Sequence, residues 1–159
     1  MKAVTVSILK KELKEHSHEE LIEICLKLAK FKKENKELLT YALFDSHDED
    51  EYIREIKEET DAEFSKLNHD SLYYVKKSTR KILRLLKKYI RYSKKKETEA
   101  AVLLHFCGKL KELKPSHQRS VQMNNIYERQ LGMAKKAIST LHEDIQYDFH
   151  LELEELENS

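Results

Sequence analysis

The stretch that decides the fold is Asp70–Glu97, DSLYYVKKSTRKILRLLKKYIRYSKKKE. One set of its residues recurs at intervals of three and four, which is the spacing of one face of an α-helix. That set is Leu72, Val75, Thr79, Ile82, Leu83, Leu86, Tyr89 and Ile90. Eleven Lys and Arg residues, and no acid, lie between the two terminal acids. The stretch therefore predicts one basic amphipathic helix, with its apolar stripe inward and its cations on the other face.

The composition of the whole chain favours helices and argues against sheets. Two Gly and one Pro in 159 residues are too few for the many turns that a sheet needs. Charged residues make up 37% of the chain, as in long solvated helices. We predict one all-α domain over residues 1–159, with roughly the last eight residues frayed. Its six to eight helices would form an irregular bundle or a short helical-repeat superhelix.

Several residues predict where helices begin. Ser17 and Asp48 each stand three positions before a Glu, which is the spacing of a capping box. Further predicted caps are Asn35, either Asn68 or Asp70, and Thr98. At the C-terminal end, a rhythm of three and four continues from Ser116 to Phe149. It predicts one long helix, with a kink near His142 as an alternative.

Charge is strongly segregated along the chain, although the net charge is only +1. Ten acids against two cations lie in residues 45–63, and no cation follows Lys136. Two interpretations stay open at this point. The blocks can serve a charged partner, or the acidic helices can lie beside the basic helix and balance its charge within the chain.

The cysteines and the apolar runs bear on the compartment. Cys25 and Cys107 each lie on an apolar helical face, in a pattern that matches neither a disulfide framework nor a metal motif. We predict two buried free thiols in a reducing compartment. The stretch Ala3–Leu9 is too short and polar for a signal peptide, and no run is long enough to span a bilayer. The predicted location is the cytoplasm.

Catalytic and metal motifs are absent from the sequence. The eight histidines show no zinc-ligand spacing. Glu15–His18 is the single Glu-x-x-His of the sequence, whereas a di-metal bundle needs that motif on two helices. His105 and Cys107 are interpreted as a helix flank beside a core thiol rather than as a base and a nucleophile. We therefore predict no catalytic residues, no metal and no cofactor. The rival hypothesis is a metal-dependent enzyme that uses a flank of the last helix containing His142 and His150.

The basic helix is the candidate functional site. Dense Lys and Arg side chains on one face give phosphate contacts, and tyrosines can stack on bases. The predicted anion-binding residues are Lys77, Arg80, Lys81, Arg84, Lys88 and Arg91. The tyrosines are Tyr73, Tyr74, Tyr89 and Tyr92. We predict a non-enzymatic interaction module that binds an anionic partner, with nucleic acid favoured over an acidic protein or an anionic membrane. The first rival is a homo-oligomeric scaffold that pairs acidic and basic helices between chains.

Three segments carry a resemblance to a known group of proteins. They are SILKKELKEHSHEELIEICLKLAKFKKENKELL (residues 7–39), YIRYSKKKETEAAVLLHFC (residues 89–107) and LHEDIQYDF (residues 141–149). Together they resemble a family of small, uncharacterised bacterial helical proteins, each a domain of unknown function. The resemblance covers most of the chain. It implies an all-helical cytoplasmic domain and assigns no catalytic residue.

Overall fold

The computed structural model describes residues 1–114, 118 and 120–159. These residues form eight α-helices and contain no strand, which confirms the all-α class and the predicted number of helices. The helices are α1 (Val6–Leu13), α2 (His18–Phe31), α3 (Lys33–Leu43), α4 (Glu49–Ser65), α5 (Leu72–Ser93), α6 (Lys96–Glu112), α7 (Val121–Ile138) and α8 (Glu143–Asn158). A 3-10 turn at Asp45–His47 precedes α4. Ser116, the predicted start of the last helix, lies outside the described residues.

The chain divides into two compact units, Met1–Phe44 and Asp45–Ser159. In the first unit, α2 and α3 pack against each other as an αα-hairpin. Ser17 caps α2, and its hydroxyl accepts a hydrogen bond from the amide of Glu20 at 3.2 Å, as the sequence predicts. The predicted cap Asn35 is wrong. That residue lies inside α3, where its side-chain amide donates to the carbonyl of Leu28 at 2.9 Å.

The second unit is built around α6. Helices α4, α5, α7 and α8 all pack against it. Every one of its eight apolar residues is therefore buried, and Leu103, Phe106 and Leu110 have no exposed surface. The ring of Phe64 on α4 lies 5.8 Å from the ring of Phe106. An α-helix that is apolar on all sides is stable in water only when neighbours cover it, as they do here.

Helix α5 shows the predicted amphipathic pattern. Its buried stripe consists of Val75, Thr79, Ile82, Leu86 and Ile90. Ser71 caps the helix instead of Asn68 or Asp70, and it accepts a hydrogen bond from the amide of Tyr74 at 3.4 Å. At the other end Lys94 adopts a left-handed conformation with a φ of 59°. The inward stripe anchors α5 on the core of the second unit and leaves its opposite face outside.

The prediction of one long C-terminal helix is wrong. Helix α7 ends at Ile138, and α8 begins at Glu143 with His142 as its cap. The hydroxyls of Ser139 and Thr140 donate to the carbonyls at the end of α7, and this local bonding competes with continuation of the helix. Helix α8 continues to Asn158, and its residue Leu153 is buried. The segment predicted to be a frayed tail is therefore helical.

Candidate nucleic-acid interface

The six predicted anion-binding residues share one face of α5, opposite its buried stripe. Lys77, Arg80, Lys81, Arg84 and Arg91 are exposed, and Lys88 is half-buried. At about 100° and 1.5 Å per residue, the six lie within an arc of about 100° along about 21 Å of helix. We call them the cationic face. The sequence predicts the position of this face, because its cations and the residues of the inward stripe each recur at intervals of three and four along the helix.

The five exposed cations of this face form no ion pair with any described residue. The neighbouring helix α4 pairs two of its acids within itself. Glu51 and Glu58 both bond to Arg54 of their own helix. Within the described residues, the chain's own acids therefore form no ion pairs with these five side chains.

The partners of the acids on α4 follow from helical spacing. Arg54 lies three residues after Glu51 and four before Glu58, which is ion-pair distance along one helix. Its hydrogen bond lowers the pKa of Glu51, and the acid in turn raises the pKa of Arg54. Asp61 contacts α6, with its carboxylate 2.6 Å from His105 and 3.6 Å from Lys109. Short-range pairs thus use these three carboxylates, whereas Glu59 and Glu49 of α4 accept hydrogen bonds from hydroxyls of α5.

A groove of about 460 Å³ runs beside the N-terminal half of the cationic face. It is lined by Tyr73, Lys76, Lys77, Arg80, Arg84 and Gln122. The ammonium of Lys76 donates to the side-chain carbonyl of Gln122 on α7 at 2.8 Å, which joins the two helices at the groove. Sequence reasoning missed the contribution of α7, because no pattern in the sequence indicates that Gln122 and Lys76 are neighbours. No acid lines this groove among the described residues.

A second depression, of about 260 Å³, lies on the other side of the face. Lys81, Arg84 and Lys88 line it together with one acid, Glu63. That acid is 3.0 Å from the ammonium of Lys66, the residue that follows α4. The carboxylate lowers the positive potential at this depression. Of these two depressions, the groove beside Tyr73 therefore has the more positive lining.

The four tyrosines predicted to stack on bases fall into two pairs. Tyr73 and Tyr74 are 63% and 48% exposed and meet edge to face, with ring centroids 5.5 Å apart. Tyr89 and Tyr92 are half-buried, and the hydroxyl of Tyr89 donates to Glu59 at 3.0 Å. A planar base can therefore reach the first pair much more readily than the second.

Lys87 does not belong to the cationic face. It is half-buried, and its ammonium lies 3.1 Å from the sulfur of Met133. Burial lowers its pKa, because the charged form loses hydration. Lys88 keeps its place at the edge of the face, with its ammonium 5.8 Å from the ring centroid of Tyr89.

The histidines predicted as a rival site are separated in the structure. His142 caps α8 and accepts from the amide of Asp144 at 3.3 Å, whereas His150 is exposed on the helix that follows. Within residues 1–114, 118 and 120–159, no three His, Cys, Asp or Glu side chains form a group that could hold a metal ion.

The two cysteines are free thiols in contrasting environments. Cys107 is fully buried, as predicted, and burial raises its pKa to about 12, so it stays protonated and poorly nucleophilic. Cys25 is exposed, so the prediction that it is buried is wrong. The reason is that α2 has too few neighbours to cover its apolar face.

Comparisons with known proteins and a search for membrane helices complete the description. No family model, no curated protein and no solved structure matches the chain. The resemblance to small bacterial helical proteins therefore stays a prediction. In the part of the chain that the structure describes, no helix combines the length and the apolar character needed to cross a membrane.

Proposed function

We propose that this chain is a non-enzymatic module that binds single-stranded nucleic acid through the cationic face of α5. One observation carries the proposal: five exposed cations share that face and form no ion pair with any described residue. Unpaired surface cations of this density release counterions from a polyanion, which is the main source of affinity in non-specific nucleic-acid binding.

Shape and chemistry favour a nucleic acid over a single anion. The face extends for about 21 Å, which spans several phosphates of a strand. Tyr73 lines the groove and exposes 63% of its surface beside Lys77 and Arg80. Aromatic rings next to a basic groove are the usual platform for unpaired bases, and they contribute without regard to sequence. The proposal is therefore binding with little sequence preference.

The test is fluorescence anisotropy of a labelled single-stranded oligonucleotide, titrated with the full chain at several salt concentrations. The triple variant Lys77→Glu, Arg80→Glu and Arg84→Glu removes three phosphate contacts. Each contact is worth about 0.7 logarithmic units at 0.1 M salt, so we expect affinity to fall about 100-fold and the salt slope to fall by about 2.

A matched control changes the same charge elsewhere. Lys10, Lys11 and Lys14 are exposed on or next to α1, and their replacement by Glu alters the net charge equally. We expect this second triple variant to lose far less affinity than the first. Equal losses in the two variants would mean that net charge alone drives binding, and the assignment to α5 would be wrong.

Stacking distinguishes a nucleic acid from an acidic protein as the partner. We expect Tyr73→Ala to weaken oligonucleotide binding about 5- to 160-fold, from about 1–3 kcal/mol per stacked base. Tyr147, which is 65% exposed on α8, provides the control substitution Tyr147→Ala.

Polyglutamate is the competitor in the same assay. If it displaces the oligonucleotide as well as an unlabelled strand of equal charge does, the partner is an acidic protein.

We also propose that the module works in a reducing compartment, the cytoplasm. Two free thiols support this location, since an oxidising compartment favours disulfides.

The scaffold hypothesis, in which acidic and basic helices pair between chains, stays a prediction. If the scaffold hypothesis is correct, the α5 triple variant loses self-association. Nucleic-acid binding alone does not require that loss.

A further inference from the structure

The first unit, Met1–Phe44, leaves most of its apolar residues exposed. All of its residues are described, and the buried ones are Ala29 and Tyr41. Side chains as large as Leu28 and Phe31 are 56% and 84% exposed. Units near 40 residues rarely bury enough apolar surface to be stable alone, and oligomerisation is a common remedy. This hairpin therefore needs a covering surface.

Part of the apolar surface of the first unit forms a groove along the α2–α3 hairpin. The groove has a volume of about 240 Å³ and is lined by Cys25, Leu28, Ala29, Asn35, Leu38, Leu39 and Ala42. Its one polar side chain, Asn35, already donates to the carbonyl of Leu28. Spacing of three and four on both helices makes this groove an open seam. In four-helix bundles the same kind of seam is covered by a second pair of helices.

Charge at the edge of the seam indicates what covers it. Glu19, Ile22, Leu26 and Lys30 are all exposed, and helical spacing places them on one edge of α2, beside the groove. Glu23 lies on this edge as well, so the edge has two acids toward the start of α2, apolar side chains beside them and a base at the other end. It is complementary to itself when a second copy lies antiparallel to it, since Glu19 then faces Lys30 of the other copy.

We propose that the hairpin docks against a second copy of this chain, with the two α2 helices antiparallel about a two-fold axis. A parallel arrangement would place like charges together at both ends of the edge. Antiparallel packing also opposes the helix dipoles, which is the favourable orientation. Such an interface is isologous, so each copy contributes the same groove and the same edge.

The two-fold axis has a predictable position. It passes near the middle of α2, between Ile24 and Cys25, because Glu19 and Lys30 are equally far from that point. Cys25 of one copy then lies close to Cys25 of the other. Cys107 is fully buried, so Cys25 is the thiol that a cross-linker can reach in the native chain.

The first measurement is the mass of the full chain in solution by sedimentation equilibrium over a range of concentrations. We expect a reversible monomer–dimer equilibrium. Leu26→Glu, at a residue 48% exposed on the edge of α2 that faces the other copy, places two like charges in the dimer seam and should weaken association about 100-fold or more. The side chain is already exposed in one chain, so helix content by circular dichroism should be unchanged. The matched control is Leu151→Glu, at a residue 46% exposed on α8.

Charge exchange tests the orientation. Glu19→Lys and Lys30→Glu should each weaken the dimer about tenfold, because each creates two like-charge contacts at the rim of the interface. The double variant restores opposite charges across the axis and should recover the affinity. A short bismaleimide should join two chains through Cys25, and Cys25→Ser should abolish the product.

Any of the following results would contradict the proposal. A single-chain mass at every concentration would leave the hairpin to a different partner. A double charge variant weaker than either single one would exclude the antiparallel arrangement. A dimer that gives no Cys25 cross-link, or that Leu151→Glu weakens as much as Leu26→Glu, would have another interface. The α5 triple variant should dimerise normally, so this proposal and the proposed function can fail independently.

Discussion

Helices α6 and α2 each contain eight apolar residues, yet they are buried to very different extents. All eight are buried in α6, whereas Ala29 is the one buried residue of α2. Four described helices pack around α6, and α3 packs against α2. The comparison shows that the burial of a helix depends on the number of helices packed around it, and not on how many apolar residues it contains. Sequence alone therefore recognises both helices but cannot say which one has an uncovered face.

The largest expected difference concerns the thiols of these two helices. In dilute native protein at pH 8, Cys25 should react quickly with a thiol reagent. Cys107 should react at least about a thousandfold more slowly, since access to it requires unfolding of the second unit. The number of thiols modified over time, with and without denaturant, measures the ratio. Fast modification of two thiols per chain would show that α6 is not covered.

The pKa of Cys107 adds a dependence on pH. Burial raises this pKa from 9.0 to about 12, so the unfolded thiol ionises before the folded one does. The free energy of unfolding should therefore be unaffected by this group below pH 9 and should fall as the pH rises from 9 toward 12. Comparison with Cys107→Ala isolates the contribution, because that variant lacks the ionising group.

The second prediction compares large-to-small substitutions in the two helices. Phe106→Ala removes a fully buried ring that contacts Phe64 and should lower the free energy of unfolding by about 3–5 kcal/mol. Leu26→Ala changes a residue of α2 that is 48% exposed and should cost one chain less than about 1 kcal/mol. Urea unfolding at low protein concentration measures both. Similar costs would contradict the difference in burial.

A third, smaller effect concerns the start of α6. The carboxylate of Glu49 accepts hydrogen bonds from Ser93 and Thr98, and it joins the first turn of α4 to the α5–α6 connection. Glu49→Ala should lower the free energy of unfolding by about 1–3 kcal/mol, because it leaves these hydroxyls without that acceptor. The matched control is Glu51→Ala in the same turn, which should change stability less. A larger loss in the control would contradict the structure.

The smallest expected effect is at Lys94, between α5 and α6. This residue has a φ of 59°, a conformation that favours glycine. Lys94→Gly should raise stability by about 0.5 kcal/mol, since relief of strain exceeds the added entropy of the unfolded chain. Thermal unfolding at fixed salt measures it. Lys95→Gly, at a position with a φ of −85°, is the control and should not stabilise the chain.

Sequence reasoning succeeded where the interactions are local. The inward stripe of α5 and the caps Ser17 and Asp48 depend on spacings of three and four, and the structure confirms them. It failed where neighbouring residues compete, as at Ser71, which caps α5 in place of Asn68 or Asp70.

Packing between distant segments was the other source of error. The break between α7 and α8 is favoured because α8 turns back and buries Phe149 and Leu153, with Lys111 of α6 bonding to the carbonyl of Leu156. The exposure of Cys25 depends on how many helices surround α2. The row of cations could be identified from the sequence, but Gln122 in the α5 groove could not.

One further consequence follows from the tyrosines between α4 and α5. The hydroxyl of Tyr52 donates to the carbonyl of Tyr89 at 2.8 Å, and the hydroxyl of Tyr89 donates back to Glu59 on α4. These reciprocal bonds stop α5 from rotating about its own axis. The direction in which the lysines and arginines project is thus fixed by bonds within the chain. In the proposed function, a nucleic-acid strand meets a preorganised surface, which reduces the conformational entropy lost on binding.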